Sequence, residues 1–507
     1  MMRAPGLCLF FFSLLSTWCA AAEVVNYRDF GAVGDGKTDD SGALLEAHRY
    51  ANQNDLPVRA DEGASYYIGG AAETIPILTD TDFGSAAFII DDTELEDHRA
   101  NVFELRASSE PVELTDVHAL RKGQARIDAA LPGPSLVLVT NAKVMRFIRR
   151  GGNQNKGSPQ TDVFLVDAQG KIDPRTPIIW DFDHISEIKA YPLDPRTLTV
   201  KGGKFTTIAA TGKDTRYHRR GIAVSRSNVV IEGLEHRIEG EGPEGPPYAG
   251  FIQISKCADV RLRDCILSGH KTYYKIGSAG KRVPMGSYDI NISRSVNVSL
   301  IRCRQFNDID DRSIWGIMGT NFCKNLVLED CILSRFDAHM GVTNATIRNS
   351  TLGYMGIKLT GFGTAVIENT TVRSRDFIQL RPDYGSTWQG EIYIRNCRFE
   401  PTVRGSISII DGRNDGQHDF GYPTYLPGRV VIDGLKIEDA KMGKNYEGPT
   451  VFGNINPRMI DASYQPPFPQ VLPDSVAYRG VETASGKPLR LSANEFMFQN
   501  VEVIEGP

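Results

Sequence analysis

The sequence of 507 residues has no Cys-x-x-Cys pair, no runs of basic residues and, beyond its N-terminus, no long apolar stretch. The missing cysteine pairs argue against a zinc or redox motif. A net charge of −5 with scattered lysines and arginines argues against nucleic-acid binding. Because about 20 apolar residues are needed to cross a bilayer, no membrane span is expected in the mature chain.

The N-terminus has the three-part layout of a secretory signal peptide. Arg3 precedes an apolar run from Leu7 to Leu15, and the small residues Ala20–Ala22 follow. We therefore expect residues 1–22 to be removed before Glu23 and the mature protein to be secreted or periplasmic. A membrane anchor is the weaker alternative, since the run is too short to span.

A short alternating phrase recurs along the chain from residue 228 onward. Each copy alternates apolar and polar residues, which is typical of a β-strand, and Asp, Asn or Gly commonly follows as a turn. The shortest intervals, from Cys331 to Ser350 and from Ser350 to Thr370, are close to the minimum for one coil of a solenoid. The copies lie at 229–234, 260–265, 298–303, 326–331, 345–350, 365–370, 392–397 and 430–435.

These repeats predict an all-β fold, a right-handed parallel β-helix with loops inserted between some coils. Leucine-rich repeats have similar intervals, but their fixed leucines are absent. Each coil of a solenoid packs only on its neighbours, so both ends need a cap. The turn at Asp35-Gly36 and an amphipathic segment from Gly42 to Asn52 predict a capping helix at the N-terminal end.

The segment 26–41 and the coils at about 230–440 resemble the pectate-lyase-like superfamily of carbohydrate-active proteins. The resemblance implies the β-helix and a polysaccharide ligand, but it specifies the activity weakly. The glycines of segment 26–41 lack the G-x-G-x-x-G spacing of a nucleotide-binding motif.

The coil phrase divides the chain into regions. Residues 90–195 lack it, and strand-like segments joined by Gly, Pro and Asp turns predict a β-rich insertion there. The expected organisation is a signal peptide at 1–22, an N-terminal cap with first coils at 23–89, the insertion at 90–195, a β-helix with the active-site face at 196–440, and an irregular C-terminal cap at 441–507.

Cysteines and asparagines recur at fixed places in the phrase. Stacked coils are about 4.8 Å apart, so cysteines at one position form an interior ladder, as buried free thiols or, alternatively, as disulfides. The ladder cysteines are Cys265, Cys303, Cys331 and Cys397. Five Asn-x-Ser/Thr sites are better explained by turn formation than by glycosylation: Asn291, Asn297, Asn344, Asn349 and Asn369.

Candidate site residues follow from counting outward along each coil. The eighth position after the shared cysteine site aligns four polar side chains on successive coils: Tyr273, Asp311, His339 and Lys358. Asp337 and Arg335 precede His339 at alternate positions, so all three point to one side of a strand. The alternative is that these residues are only the solvated outside of a sheet.

The candidates divide into two groups. The catalytic candidates are His339, Asp337, Lys358, Asp311 and Asp310. The substrate-binding candidates are Arg335, Arg312, Arg381, Asp383, Tyr384, Tyr273, Trp315 and Trp388, although tryptophan is also common in cores. No metal ligands are assigned, and a need for calcium is left open. The expected partner is a polysaccharide, bound by a monomer.

The favoured chemistry is β-elimination, or C5 epimerisation, on a uronate-containing glycan. Both reactions need a base, a cation that neutralises the carboxylate and a proton donor. His339 or Tyr384 would move protons, while Lys358, Arg335 or Arg381 would hold the carboxylate. The segments 336–339 and 346–350 resemble bacterial alginate C5-epimerases, with Ala338 and Met340 departing from the family pattern.

Glycoside hydrolysis is the alternative, because it needs two carboxyl groups and the chain offers several aspartates. The fold resembles polygalacturonase-type hydrolases, yet their motifs are echoed only faintly, at Asp310-Asp311 and at Gly356-Ile-Lys358. A non-catalytic carbohydrate-binding tailspike or adhesin is the third hypothesis.

Overall fold

The structure is a computed structural model that describes residue 1 and residues 23–506. The predicted signal peptide therefore lies outside the described residues, except for Met1. No helix among the described residues is long and apolar enough to cross a membrane.

Residues 23–506 form the right-handed parallel β-helix that the repeats predict. Successive coils pair in parallel, and 26 strands join into one sheet that bends around the solenoid as two faces. The recurring phrase forms the first face. Its strands are Val25–Asn26, Val58–Arg59, Thr81–Asp91, Leu198–Ile208, Val229–Glu232, Ala258–Arg263, Val296–Ile301, Lys324–Glu329, Val342–Arg348, Gly361–Glu368, Trp388–Phe399, Arg429–Ile437, Ser475–Thr483 and Glu502–Glu505.

The other two faces complete each coil. The second face consists of Asp35–Asp39, Ser65–Ile68, Glu235–Glu239, Ile266–Leu267, Arg304–Gln305, Ile332–Asp337, Thr351–Leu359, Thr371–Val372, Ile378–Leu380, Ser408–Asp411, Thr450–Phe452 and Arg490–Ser492. The third face is a six-stranded parallel sheet of Ile75–Ile77, Phe103–Leu105, Ile222–Val224, Ala249–Ser255, Tyr288–Ser293 and Met318–Asn321.

The bends between faces are made by residues in the left-handed region. Asp264, Asp330 and Asn349 each come directly after a strand of the first face, with φ values of 53°, 55° and 51°. Asparagine and aspartate tolerate this conformation better than other non-glycine residues, which explains why they recur at the fifth position of the phrase. Before the phrase, Asn344 donates its side-chain amide to Asn325 at 3.0 Å, one link in a ladder of such bonds between coils.

The interior is filled by the alternate residues of each strand. Cys265, Cys303 and Cys331 are fully buried in one stack, and all six cysteines of the described chain are free thiols. The backbone N–H of Ile332 donates to the carbonyl of Cys303, which fixes the coil-to-coil alignment of the stack. The ladder is therefore one of buried thiols and contains no disulfide.

The ends of the solenoid differ from one another. At the N-terminal end, the helix Ser41–Asn54 packs against the 3₁₀ turn Tyr27–Phe30 and the strand Ile75–Ile77. At the C-terminal end, the prediction of an irregular cap at residues 441–507 is wrong. Strands from Thr450–Phe452 to Glu502–Glu505 pair in parallel with the preceding coils, so the β-helix continues well beyond residue 440.

The insertion begins later than predicted, because Phe103–Leu105 pairs with the third face. It contains an antiparallel sheet of Val112–Glu113, Ser135–Arg146, Ser158–Val166 and Glu187–Pro192 with its own hydrophobic core. Small two-stranded elements complete the fold: His270–Lys271 with Ile314–Gly316, Tyr273–Ile276 with Arg282–Met285, and Thr424–Tyr425 with Gln470–Val471, besides the 3₁₀ turn Pro382–Tyr384.

Candidate active site

A cleft of about 720 Å³ lies over the second face of the β-helix. Its floor carries Arg335, Lys358 and Gln379 from three strands of that face. The insertion supplies one wall through residues 149–153, and the hairpin Tyr273–Met285 contributes to the rim. The insertion thus shapes the site, in addition to covering the coils.

The strands of the second face align a ladder of polar residues along the floor. Asp337 pairs with Lys358, Lys358 with Gln379, and Gln379 with Asp411. The counted register is therefore wrong for His339, because the strand register shifts between Leu333 and Arg335. Lys358 belongs opposite Asp337 and not opposite His339.

Asp337 is a buried carboxylate held between two arginines. It accepts hydrogen bonds from Arg335 and, at 3.2 Å, from Arg381. Burial acts to raise the pKa of Asp337, but the two guanidinium groups outweigh it and the pKa is lowered. Asp337 therefore stays ionised and organises the cations of the floor.

Three donor groups of two residues on the floor are buried without a partner among the described residues. They are the Nε and Nη1 groups of Arg335 and the indole Nε1 of Trp315. The guanidinium of Arg335 lies 5.0 Å from the centre of the Trp315 ring. Buried donors left unpaired are costly, so this position suits an acceptor such as a substrate carboxylate.

Lys358 lies beside these donors, and its Nζ donates to Oε1 of Gln379 at 2.5 Å. Burial, followed by repulsion from Arg335 and Arg381, lowers the pKa of Lys358 to about 8, against the opposing attraction of Asp337. A lysine in this state is partly neutral near physiological pH and can accept a proton.

His339 faces the cleft and contacts Tyr384. Its Nδ1 lies 2.8 Å from Oδ1 of Asn321, and its Nε2 lies 3.4 Å from the Tyr384 hydroxyl. Because an amide oxygen only accepts, Nδ1 carries the hydrogen and Nε2 can accept. Burial, with repulsion from Arg381, lowers the pKa of His339 to about 3, and burial raises that of Tyr384 to about 12. Both groups are neutral at pH 7.

The insertion contributes two arginines that the sequence analysis missed. Arg149 donates to Asp383 at 2.7 Å, and Arg381 donates to the same carboxylate at 2.9 Å. Burial would raise the pKa of Asp383, but these cations hold it below its usual range. Arg150 pairs with Asp415 at the far wall.

Tyr288 is a second residue that the sequence analysis missed. It lines the cleft, and burial raises its pKa although Arg335 opposes the change. A Cβ on Gly286 would lie 2.2 Å from the Tyr288 hydroxyl and 3.0 Å from Nε1 of Trp315. Only glycine allows the backbone at position 286 to pass this close to the two side chains. The Tyr288 hydroxyl and the Trp315 indole N–H therefore lie at the same corner of the cleft.

A buried pair of carboxyl groups lies at the end of the ladder. Burial, with the neighbouring Asp411, raises the pKa of Asp376 to about 7, and burial also raises that of Asp411. Neither residue lines the cleft. The sequence could have indicated Asp411 only if the register of the ladder were known, because Asp411 pairs with Gln379.

Several predicted site residues lie elsewhere. Asp310, Asp311 and Arg312 are exposed on a loop outside the cleft, where Asp311 accepts from the backbone of Ser313. Tyr273 is buried in the rim hairpin, and its hydroxyl donates to the Gly242 carbonyl at 3.4 Å.

Trp388 is fully buried and donates to the Gly363 carbonyl at 3.0 Å. It is a core residue and not a platform for sugar, so its assignment to substrate binding is corrected. Trp315, in contrast, lines the cleft.

Two solved structures of phage tailspikes are similar to this chain in fold. Tailspike gp49 of Pseudomonas phage LKA1 is 15% identical, with a TM-score of 0.53 over 94% of this chain and 84% of that chain. Tailspike gp61 of Pseudomonas phage phi297 is 16% identical, with a TM-score of 0.54 over 93% and 82%. At such identities the likeness shows the fold alone.

A curated relative is a capsule KL64-specific depolymerase of a Klebsiella phage. It is 24% identical over 177 residues, which cover 28% of this chain and 17% of the depolymerase. The match thus spans about a sixth of the relative's length. No family model matches the chain.

Proposed function

We propose that this protein is a polysaccharide lyase that cleaves an acidic glycan by β-elimination in the cleft over the second face. The observation that carries the proposal is the group of unpaired buried donors of Arg335 and Trp315 beside a lysine of lowered pKa. This arrangement supports both needs of the reaction, a cation for the substrate carboxylate and a base for the adjacent proton.

Carboxylate binding falls to the arginines. Arg335 offers Nε and Nη1, and Trp315 adds its indole N–H at the same corner. Arginine suits this role because its planar donors match the two oxygens of a carboxylate. Neutralising the carboxylate makes the carbanion next to it accessible, since charge that develops there spreads onto the carboxyl group.

Lys358 is the proposed base. A base works best when its pKa is near the working pH, and that of Lys358 is lowered to about 8. His339, with a pKa lowered to about 3, is a weaker base than the sequence led us to expect. Lys358 thus takes the proton-moving role that the sequence suggested for His339, and His339 orients Tyr384 instead.

The proposed elimination needs one base and one proton donor. Lys358 takes the proton from the carbon next to the carboxylate, and the electron pair forms a carbon–carbon double bond. The bond to the bridging oxygen breaks, and this oxygen takes a proton from Tyr288, the cleft hydroxyl beside Trp315. Epimerisation shares the first step but returns a proton to the opposite side of the carbon.

Hydrolysis has less support. It needs one protonated and one ionised carboxyl group across the scissile bond. The aspartates lining the cleft are Asp383 and Asp415, and both are paired with arginine. Burial and Asp411 raise the pKa of Asp376 to about 7, but this carboxyl group lies outside the cleft.

The relatives support a polysaccharide as the substrate class. The depolymerase that the chain resembles is specific for a bacterial capsule, and the two tailspikes share the fold. We therefore propose an acidic capsular polysaccharide as the substrate. The cleft presents several cations, and capsule units commonly carry carboxylates.

The test is to incubate the protein with acidic capsular polysaccharides, polygalacturonate and alginate. We expect shortening of at least one polymer together with the near-ultraviolet absorbance of an unsaturated uronate. New reducing ends without that absorbance would establish hydrolysis instead. Altered uronate composition without shortening would establish epimerisation, and binding without any change would establish a non-catalytic protein.

A further inference from the structure

A second cleft of about 470 Å³ lies between the insertion and the first face of the β-helix. Its lining combines residues of the insertion, such as Lys143 and Trp180, with Phe362 and Gln389 of adjacent coils. None of its lining residues is shared with the cleft over the second face.

Aromatic side chains form the walls of this second cleft. Trp180 is half-buried, and its ring meets that of Phe362 edge-on at 5.1 Å. Tyr422 and the half-buried Tyr425 stand beside it. The indole N–H of Trp180 and the hydroxyl of Tyr425 have no hydrogen-bond partner among residues 23–506. Walls of this kind, apolar with a few free polar groups, are what saccharide and other small-ligand sites present.

A buried polar network holds the floor in place. Gln160, which is 1% exposed, accepts from Nε and Nη2 of Arg146 at 2.9 and 2.8 Å and donates to the Asp181 carbonyl at 2.8 Å. Arg146 also bonds the Gly421 carbonyl and lies 4.5 Å over the Trp180 ring. The guanidinium is therefore fixed before any ligand arrives.

The charge at the rim favours an anion. Lys122 and Lys143 are exposed and form no ion pair within the described part of the chain, whereas Asp183 is paired with Arg121. With Arg146, the cleft presents three cations against Asp181 and the already paired Asp183. An acidic saccharide meets both the aromatic walls and this charge.

Only a thin aromatic wall separates the two clefts. Phe147 packs against Tyr384 and Tyr422, and the Tyr422 hydroxyl donates to the Tyr384 carbonyl at 2.8 Å. His339 contacts Tyr384 from the first cleft, while Tyr422 lines the second. The two clefts are therefore adjacent, on either side of this wall.

We propose that the second cleft is a separate binding site for an acidic oligosaccharide, which holds a further stretch of the polymer cleaved in the first cleft. The identity of the polymer rests on the proposed function, but binding at the second cleft does not. Two linked sites raise the effective concentration of the chain at each one, so a long polymer is held more tightly than a short oligomer.

Tryptophan fluorescence can report each cleft separately. Trp180 lines the second cleft, Trp315 the first, and Trp388 is buried away from both. In a protein without the predicted signal peptide and its Trp18, the variant Trp315→Phe also carries Lys358→Ala, which prevents cleavage. The responsive tryptophan is then Trp180. The probes are hexasaccharides of galacturonate and of alginate, with cellohexaose as the neutral comparison.

We expect an acidic hexasaccharide to change the Trp180 emission in a saturable manner and cellohexaose to leave it unchanged. Replacing Lys122 and Lys143 together by serine should weaken that binding about three- to tenfold. Both side chains are exposed, so the fold should survive, and Lys436→Ser on a distant coil is the matched control. In the double serine variant, the ratio of the affinity for polymer to the affinity for hexasaccharide should be smaller than in the protein with both lysines.

No response of Trp180 to either acidic hexasaccharide, or an unchanged affinity in the double serine variant, overturns the second site even if the protein cleaves polymer. If Trp180 responds saturably but the wild-type protein cleaves none of the polymers, the second site is supported and the lyase proposal is refuted. The two proposals therefore fail separately.

Discussion

Two regions of the molecule carry the same kinds of residue but differ in their surroundings. Arg335 on the cleft floor and Asp337, which is buried beneath it, are 1% and 0% exposed. The loop 308–312, in contrast, holds three aspartates and an arginine in solvent. A solvated ion pair contributes about 0–1 kcal/mol, whereas a buried charge is kept only when its partners compensate it. Charged residue types therefore mark a site only where the fold encloses them.

The largest effect that separates the two regions should come from Lys358. Lys358→Ala should lower kcat about 10²- to 10⁴-fold, because it removes the base. Arg312→Ala, on the loop, should leave the rate unchanged. Steady-state rates on a cleaved polymer test this. Lys358→Arg should not restore activity, since a guanidinium stays protonated. Activity in Lys358→Arg would show that Lys358 only neutralises charge.

The second effect concerns stability. Asp337→Ala leaves Arg335 buried without its carboxylate and leaves Arg381 with Asp383 alone, so it should destabilise the protein by about 3–5 kcal/mol. Asp311→Ala should change stability by less than about 0.5 kcal/mol, because that side chain is exposed. Denaturant unfolding of both variants at pH 7 measures the difference. Equal values would mean that the floor is as solvated as the loop.

The third effect is the pH dependence of the rate. Lys358 must be neutral to take a proton, and its pKa is lowered to about 8. The logarithm of kcat should therefore rise with pH up to about 8 and level off above it. Asp376 opposes this lowering of the pKa, so Asp376→Asn should move the inflection to lower pH. A rate that falls as pH rises from 6 to 8 would contradict the assignment.

The smallest effects should separate the two tryptophans of the β-helix. Trp388→Phe removes a buried hydrogen bond to Gly363 and should cost about 1–3 kcal/mol of stability without changing KM. Trp315→Phe should raise KM and cost less stability, because its indole N–H faces the substrate. Thermal melting and steady-state kinetics of the two variants test the contrast.

The repeats predicted the architecture because each coil repeats one physical pattern. The alternating burial and the left-handed turns at residues such as Asp330 and Asn349 depend only on neighbouring residue types, so the sequence shows them directly. The C-terminal coils were missed because strands such as Ser475–Thr483 are more exposed and separated by long proline-rich loops.

The site was predicted only in part. Arg335, Asp337, Lys358, His339 and Arg381 do gather around one cleft, but their alignment depends on a register shift that no local pattern reveals. Arg149 and Arg150 arrive from an insertion far away in sequence, and only tertiary packing brings them to Asp383 and Asp415. Long-range contacts of this kind leave no periodic trace in a sequence.

The buried free thiols of the interior have a further consequence. Burial raises the pKa of Cys257 to about 12 and those of Cys323 and Cys397 to about 11, so these sulfurs resist alkylation while the coils are closed. Each thiol becomes reactive only when its own coil opens. The order in which an alkylating reagent modifies the cysteines, read by mass spectrometry, would therefore record where along its axis the solenoid first comes apart.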